Sequence, residues 1–272
     1  MLARKVNVGP ESFLYTLEVP QGFPEPRPGQ FVHVTATPEL VLRRPFSIAG
    51  FRGGRLLELL VQLRGRGTRG VAETPLRSEV DVLGPLGNTF TRPEESETAV
   101  LVAGGIGVAG VRLLSEMLLF EAQRMLALVG AGTGERLLDH LLPETAGGGR
   151  YRIEVATDDG SRGFHGTVTE LLERELGGLR AGARVYCCGP PGMIREVSRI
   201  AESAGVRCEA LMEEIMACGV GACRGCAIET RSGYRTACSD GPVFDTSELV
   251  FADRGAGPDG ARGPEGRDTS DA

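Results

Sequence analysis

Near residue 98 the hydrophobic rhythm of this chain changes, and the change limits it to two different kinds of layered domain. From Met1 to about Thr91 the apolar residues come in short runs broken by Gly and Pro: LARKVNV, FLYTLEV, QFVHVTA, RPFSIAG, RLLELLVQL and EVDVLG. Runs of this length at this spacing predict strands, and strands in such quick succession predict a small antiparallel barrel. The polar, Pro-bearing TRPEESET (91–98) reads as a linker. Beyond it, strand-like and helix-like segments alternate: AVLVA and a helix over 107–122, MLALVG and 135–142, YRIEVA and 166–176, ARVYCC and 191–204, then RCEAL. That alternation predicts a doubly wound parallel sheet, with ligand sites at the carboxyl ends of its strands.

A third region, 213–250, is rich in Gly and Cys and has little periodicity, so it cannot bury a core unaided and is expected to need a metal centre to fold. The remaining 251–272 is almost free of apolar residues and is expected to be disordered. The expected organisation is therefore 1–92 barrel, 97–212 nucleotide sheet, 213–250 metal subdomain and 251–272 tail. A net charge of −6 with no basic cluster argues against nucleic acid and anionic membrane as partners. No apolar run approaches the roughly 18 residues of a membrane span, and no apolar secretory core opens the chain, so a cytoplasmic location is expected.

Seven cysteines, an odd number with four of them between 218 and 238, fit metal ligation better than a disulfide framework. Cys218, Cys223, Cys226 and Cys238 form C-x4-C-x2-C-x11-C, and the first three have the spacing of a plant-type [2Fe–2S] loop. Three thiolates on one short loop reach two irons only if the backbone curls around them, and Gly219, Gly221 and Gly225 allow the dihedral angles required. The curl also points N–H groups at sulfur, which favours the reduced cluster. Structural zinc would use four cysteines too, but zinc modules usually carry two C-x2-4-C pairs, and Cys238 stands alone. Cys187 and Cys208 fall on predicted strands as small buried hydrophobes.

Three further segments sit where a parallel sheet binds ligands. Gly104, Gly105 and Gly107 form a turn between an apolar strand and a helix start, where backbone can approach a phosphate closely. Asp158, in Thr157-Asp158-Asp159-Gly160-Ser161, follows a strand; acidic residues there would repel a 2′-phosphate and favour NADH over NADPH. Cys188, Gly189 and Pro190 open C-G-P-P-G-M at another strand end. Buried cysteine and turn-building are the plain reading of that segment. His33, His140 and His165 show no metal or triad spacing and read as core or surface histidines.

Arg43-Arg44-Pro45-Phe46-Ser47 followed by Gly67-Thr68 resembles the R-x-Y/F-S/T and G-S/T pair of the ferredoxin-reductase-like flavoproteins, whose barrel binds FAD. The resemblance implies that Arg44 pairs with the FAD pyrophosphate, that Pro45, Phe46 and Ser47 lie at the flavin, with Ser47 near N5, that Gly67 and Thr68 bind phosphate, and that Leu60, Val61 and Gln62 run along the ring. Phe46 stands where tyrosine is usual and offers packing without a hydroxyl. The G-G-x-G-x-A turn and C-G-P-x-x-M resemble the same family, which implies that Cys188 lies beside the nicotinamide. Gly84-Pro85-Leu86-Gly87-Asn88 recurs in such barrels as a turn.

The order of RRPFSI, VLGPLGN, AGGIGVA, TDDGSRGFHG, CGPPGM and CGVGACRGC resembles the electron-transfer subunits of bacterial NAD-dependent dihydroorotate dehydrogenases. The resemblance implies FAD, a [2Fe–2S] cluster and NAD as cofactors. It also implies an FMN-containing catalytic subunit as partner in a heterotetramer and a role in pyrimidine biosynthesis; hydride and electron transfer through such cofactors needs no acid–base residue on this chain. Three other readings share some of these features: an NADH-dependent ferredoxin:NADP oxidoreductase or sulfhydrogenase-type subunit, a stand-alone flavodehydrogenase, and a zinc-containing binding module without redox activity.

Overall fold

The structure, a computed structural model, describes residues 1–35, 42–121, 123–144, 150–179 and 182–251. Of the expected tail, all but Phe251 lies outside the described residues. The first half contains β1 (Leu2–Gly9), β2 (Ser12–Glu18), β3 (Phe31–Val34), β4 (Arg44–Arg52), β5 (Leu56–Gln62), α1 (Arg66–Glu73) and β6 (Val82–Leu86). The second contains β7 (Thr98–Gly104), α2 (Val108–Phe120), β8 (Met125–Ala131), β9 (Tyr151–Thr157), β10 (Phe164–His165), α3 (Val168–Leu176), β11 (Ala183–Cys188), α4 (Pro191–Ser203) and β12 (Arg207–Leu211). The chain then forms β13 (Ala227–Thr230), β14 (Gly233–Thr236) and β15 (Val243–Asp245).

The first six strands pair antiparallel in the order β1-β2-β5-β4-β3-β6 and curl around one apolar core that includes Leu2, Tyr15, Val32, Val34, Ile48 and Leu57. Alternation along β3 sends Val32 and Val34 into that core and Phe31 to the opposite side, into the core shared with the second half. Helix α1 was not anticipated. It follows β5 directly and is closed by Thr68, whose hydroxyl accepts from the N–H groups of Arg64 and Gly65.

β7, β8 and β11 are almost wholly buried along their length. Unbroken apolar strands of this kind belong in a sheet covered on both faces, and the parallel order β10-β9-β8-β7-β11-β12 has α2 on one side with α3 and α4 on the other. α3 starts where the sequence gives a reciprocal cap: Thr167 Oγ1 accepts from the Glu170 N–H, and the Glu170 carboxylate accepts from the Thr167 N–H at 2.7 Å. The helix expected over 135–142 is two separate 3-10 turns, Gly134–Arg136 and Asp139–Leu141. Leu142 precedes Pro143, which disfavours helical backbone, and the segment is tied down piecemeal. Arg112 Nε donates to the Leu141 carbonyl, and Arg162 grips Asp139 with two hydrogen bonds.

Two attachments fix the parts relative to one another. Arg112 of α2 is buried and donates to Glu58 of β5 at 2.7 Å and to the Ala49 carbonyl of β4, clamping barrel to sheet. The carboxyl-terminal segment adds β15 antiparallel to β12 as the edge of the parallel sheet. Its Ile228, Ala237, Phe244 and Leu249 join the core beneath α3 and α4. Asn88, in the barrel turn that follows β6, reads the backbone of this segment: its side chain donates to the Asp240 and Val243 carbonyls and accepts from the Val243 N–H at 2.9 Å.

Candidate functional site

Two large clefts open along the line between barrel and sheet. The first, of 680 Å³, lies across the carboxyl ends of the parallel strands and is lined by Gly104, Gly105, Gly130, Gly132, Asp158, Gly189 and Pro190, among others. The second, of 720 Å³, is lined by Arg43, Arg44, Pro45, Phe46, Ser47, Leu60 and Thr68 from the barrel and by Met212 to Met216 from the segment after β12. Each is of a size that holds a cofactor-sized ligand. Gln62, Arg64, Ile106, Met212 and Glu213 line both, so the clefts meet at one wall.

The three glycines of the first turn do different things. Gly105 has φ +53° and open space where a side chain would stand, so its backbone is bare to the cleft. A Cβ on Gly104 would meet Met193 Sδ and Pro190, and one on Gly107 would fall 2.1 Å from the Cys188 carbonyl oxygen. Gly107 is therefore a packing glycine that lets α2 press onto β11, and it does not line the cleft. Nor does Cys188, which is 1 % exposed with Sγ against Gly110. Burial, with Glu213 nearby, pushes its thiol far above the usual range. Asp158 lines the cleft, whereas Asp159 is turned into its own loop, with a carboxylate that accepts from Ser161 N–H and Oγ; these bonds hold it below the ordinary carboxylate range.

In the second cleft the structure brings together residues 23 positions apart. A Cβ on Gly67 would lie 2.2 Å from Arg44 Nε, so the guanidinium rests directly on this glycine. Arg44 also donates to the Leu42 carbonyl, which aims the fork across the first turn of α1. Val61, in contrast, is fully buried in the barrel core and could offer a ligand only its backbone. Sequence reasoning missed Arg64, Ile106 and the run from Glu213 to Met216. The acidic pair Glu213-Glu214 just before the cysteine loop was the one available signal. Glu213 is open toward the clefts but hemmed in by protein elsewhere, which raises its pKa while Arg64 opposes the rise.

The four cysteines fall into two pairs. Cys218 lies beside Cys223, whose N–H points at Cys218 Sγ (3.4 Å), and Cys226 lies beside Cys238. Cys226 and Cys238 are 1 % and 2 % exposed, while Cys218 is half-buried and Cys223 exposed. Further N–H groups point at sulfur: Val220 at Cys218, Gly221 at Cys238 (3.1 Å) and Gly225 at Cys223. Those of Cys223 and Val220 bring the Cys218 thiol down to about 6, whereas burial pushes Cys238 up to about 11. Gly219 and Gly221 adopt φ of +73° and +79°, and a Cβ on either would strike His33 or Ser239. Among the described residues the thiols stand as two pairs rather than one group of three or four, and such pairs, with N–H groups aimed at sulfur, would fit a cluster that takes two thiolates at each of two irons.

His33, on β3, is fully buried, and among the described residues neither ring nitrogen has a hydrogen-bond partner. Burial, followed by the charge of Arg43, lowers its pKa and keeps the ring neutral.

The segment 213–250 matches the family model described as the iron–sulfur cluster binding domain of dihydroorotate dehydrogenase B, and 101–199 matches the oxidoreductase NAD-binding domain. The chain is 33% identical over 231 residues to the dihydroorotate dehydrogenase B (NAD(+)) electron transfer subunit of Caldanaerobacter subterraneus, covering 84% of this chain and 88% of that one. To the same subunit of Desulforamulus reducens it is 35% identical over 252 residues, covering 90% and 94%. The chain belongs to this family of electron transfer subunits. Its fold is also similar to that of a chain in the NADH-dependent reduced ferredoxin-NADP oxidoreductase structure, at TM-score 0.79 and 26% identity over 92% of this chain and 88% of that one. As a member of the family the chain is an NAD-dependent oxidoreductase subunit with a ferredoxin-reductase-like fold and a carboxyl-terminal iron–sulfur domain. Among its described residues no helix is long and apolar enough to cross a membrane.

Proposed function

We propose that the chain relays electrons between NAD(H) and an FMN-containing dihydroorotate dehydrogenase subunit, by way of FAD in the second cleft and a [2Fe–2S] cluster on the four cysteines, in the cytoplasm and in the service of pyrimidine biosynthesis. The observation that carries this reading is the common wall of Gln62, Arg64, Ile106, Met212 and Glu213, from which the chain runs straight into the cysteine loop. When bound, the three cofactors supply complementary chemistry: NAD(H) exchanges a hydride, iron–sulfur accepts single electrons, and a flavin can do either.

The protein's own part is placement. Arg44, laid across Gly67, holds a pyrophosphate with a forked cation, and Thr68 stabilises the helix start beneath it. Phe46 and Leu60 give the second cleft an apolar floor, and Ser47 a hydroxyl. Gly105 opens backbone to the dinucleotide next to the 3-10 turn that leads into α2, and Gly189 and Pro190 shape the far wall. Asp158 disfavours a 2′-phosphate and so selects NADH. Cys226 and Cys238, both buried, and Cys218 and Cys223, nearer the surface, would hold the cluster as two pairs of thiolate ligands. The segment that carries the cysteines also exposes the apolar side chains of Ile215, Val220 and Tyr234, which would suit contact with the catalytic subunit in a heterotetramer.

The test is a visible spectrum of anaerobically purified chain during titration with NADH. Flavin bands over a broad cluster absorbance, both bleached, are expected. Cys223→Ser should remove the cluster absorbance and leave flavin bleaching. Zinc in place of iron and acid-labile sulfide would sink the reading. The similarity to the ferredoxin-NADP oxidoreductase supports one second reading, in which the same relay serves a different partner. The subunit that co-purifies with the chain separates the two.

A further inference from the structure

We infer that His33, a residue of the barrel, donates a ring N–H hydrogen bond to the sulfur side of the cluster loop and thereby links the flavin barrel to the cluster. The inference rests on the proposed [2Fe–2S] cluster. An imidazole with no solvent exposure and, among the described residues, no partner at either nitrogen is a rare arrangement, because buried polar groups almost always find a partner. The ring occupies the opposite face of β3 from Val32 and Val34, on the side of Phe31, whose core includes Cys226 and Cys238. Its Nδ1–Cε1 edge faces Gly219, the residue that follows Cys218. A Cβ on Gly219 would lie 2.9 Å from both ring atoms. Glycine is thus required there twice, for its φ of +73° and for the room it leaves the imidazole.

The groups that point at cysteine sulfur within this loop are backbone N–H groups of the loop itself. His33 differs from them in coming from another part of the molecule. Phe31, whose ring lies 5.6 Å from the imidazole centroid, also lines the second cleft. One short strand therefore touches the cleft through one side chain and the cysteine loop through the other. An N–H donor to a sulfur of a cluster stabilises the reduced, more negative form, so His33 acts as a positioning and tuning residue.

Pulsed EPR of the reduced full-length chain, carrying ¹⁵N-histidine and shown by assay to hold iron and acid-labile sulfide, tests this directly. The expected result is a weak nitrogen coupling that survives His140→Gln and His165→Gln and disappears in His33→Phe. In an EPR-monitored potential titration, His33→Phe should lower the ratio of reduced to oxidised cluster about tenfold at a fixed ambient potential, equivalent to about 59 mV. His33→Gln, which keeps an N–H donor, should recover most of that loss. A loaded wild-type cluster without histidine coupling overturns the inference, whether or not the phenylalanine variant folds. So does a coupling strong enough for a directly bound imidazole, or a potential unchanged in both variants. Failure to find iron and sulfide would instead overturn the cluster itself.

Discussion

The nucleotide cleft and the cysteine loop lie side by side but come by their shape in opposite ways. The cleft is the unavoidable rim of a sheet whose strands are packed on both faces. It is shaped by missing side chains at Gly105, Gly130 and Gly132, and its frame stands whether or not a ligand is present. The loop 218–226 has almost no apolar content of its own. Its surroundings are fixed by Asn88, which grips Asp240 and Val243, and by the pairing of β13 with β14, while its thiols repel one another as they ionise unless a metal takes the charge. One site is a property of the fold and the other a condition for part of it.

This contrast can be broken experimentally. Removing iron with a chelator under mild oxidation should speed amide exchange across 218–238 by roughly a hundredfold or more while leaving β7 and β8 protected, as followed by mass spectrometry. Equal loss of protection in both would mean that the sheet depends on the metal too. Arg112→Ala, which leaves the buried Glu58 carboxylate only the half-exposed Arg52 at 3.3 Å, should cost about 3 kcal/mol in denaturant unfolding. Gly107→Ala forces a methyl group onto the Cys188 carbonyl and should cost about 1–3 kcal/mol together with weaker NADH binding, with iron content unchanged in the protein that folds. Asn88→Ala should do the reverse: faster iron loss, for about 1–3 kcal/mol of unpaired backbone polar groups, at unaltered NADH affinity. Smallest of all, Asp158→Asn should improve use of NADPH relative to NADH roughly threefold in steady-state assays, the scale of one exposed charge.

Much of this could be read from the chain because both halves follow simple periodicities. The alternation after Ala99 foretold every parallel strand from β7 to β12 except the two-residue β10. What escaped notice had a physical reason in each case. Leu137, Leu138, Leu141 and Leu142 have helical spacing, yet Pro143 disfavours helix before it, Arg112 takes the Leu141 carbonyl and Arg162 the Asp139 carboxylate, and the segment settles in separate turns. Gly107 and Cys188 look like ligand residues because they flank ligand turns, but they face each other across a helix–strand contact. His33 looked like an ordinary core histidine, since nothing in a strand sequence says which loop, nearly 190 residues away, will settle over it. Asn88 belongs to a turn motif that explains itself locally, so its grip on 240–243 was invisible.

The uneven burial of the two thiol pairs gives the centre an inside and an outside. With the cluster held as proposed, dioxygen and peroxide would meet it first on the Cys218–Cys223 side, and oxidative damage would start there. A docked catalytic subunit over that face would act as a cap, and the lifetime of the cluster in air, with and without that subunit, measures how much shelter it gives.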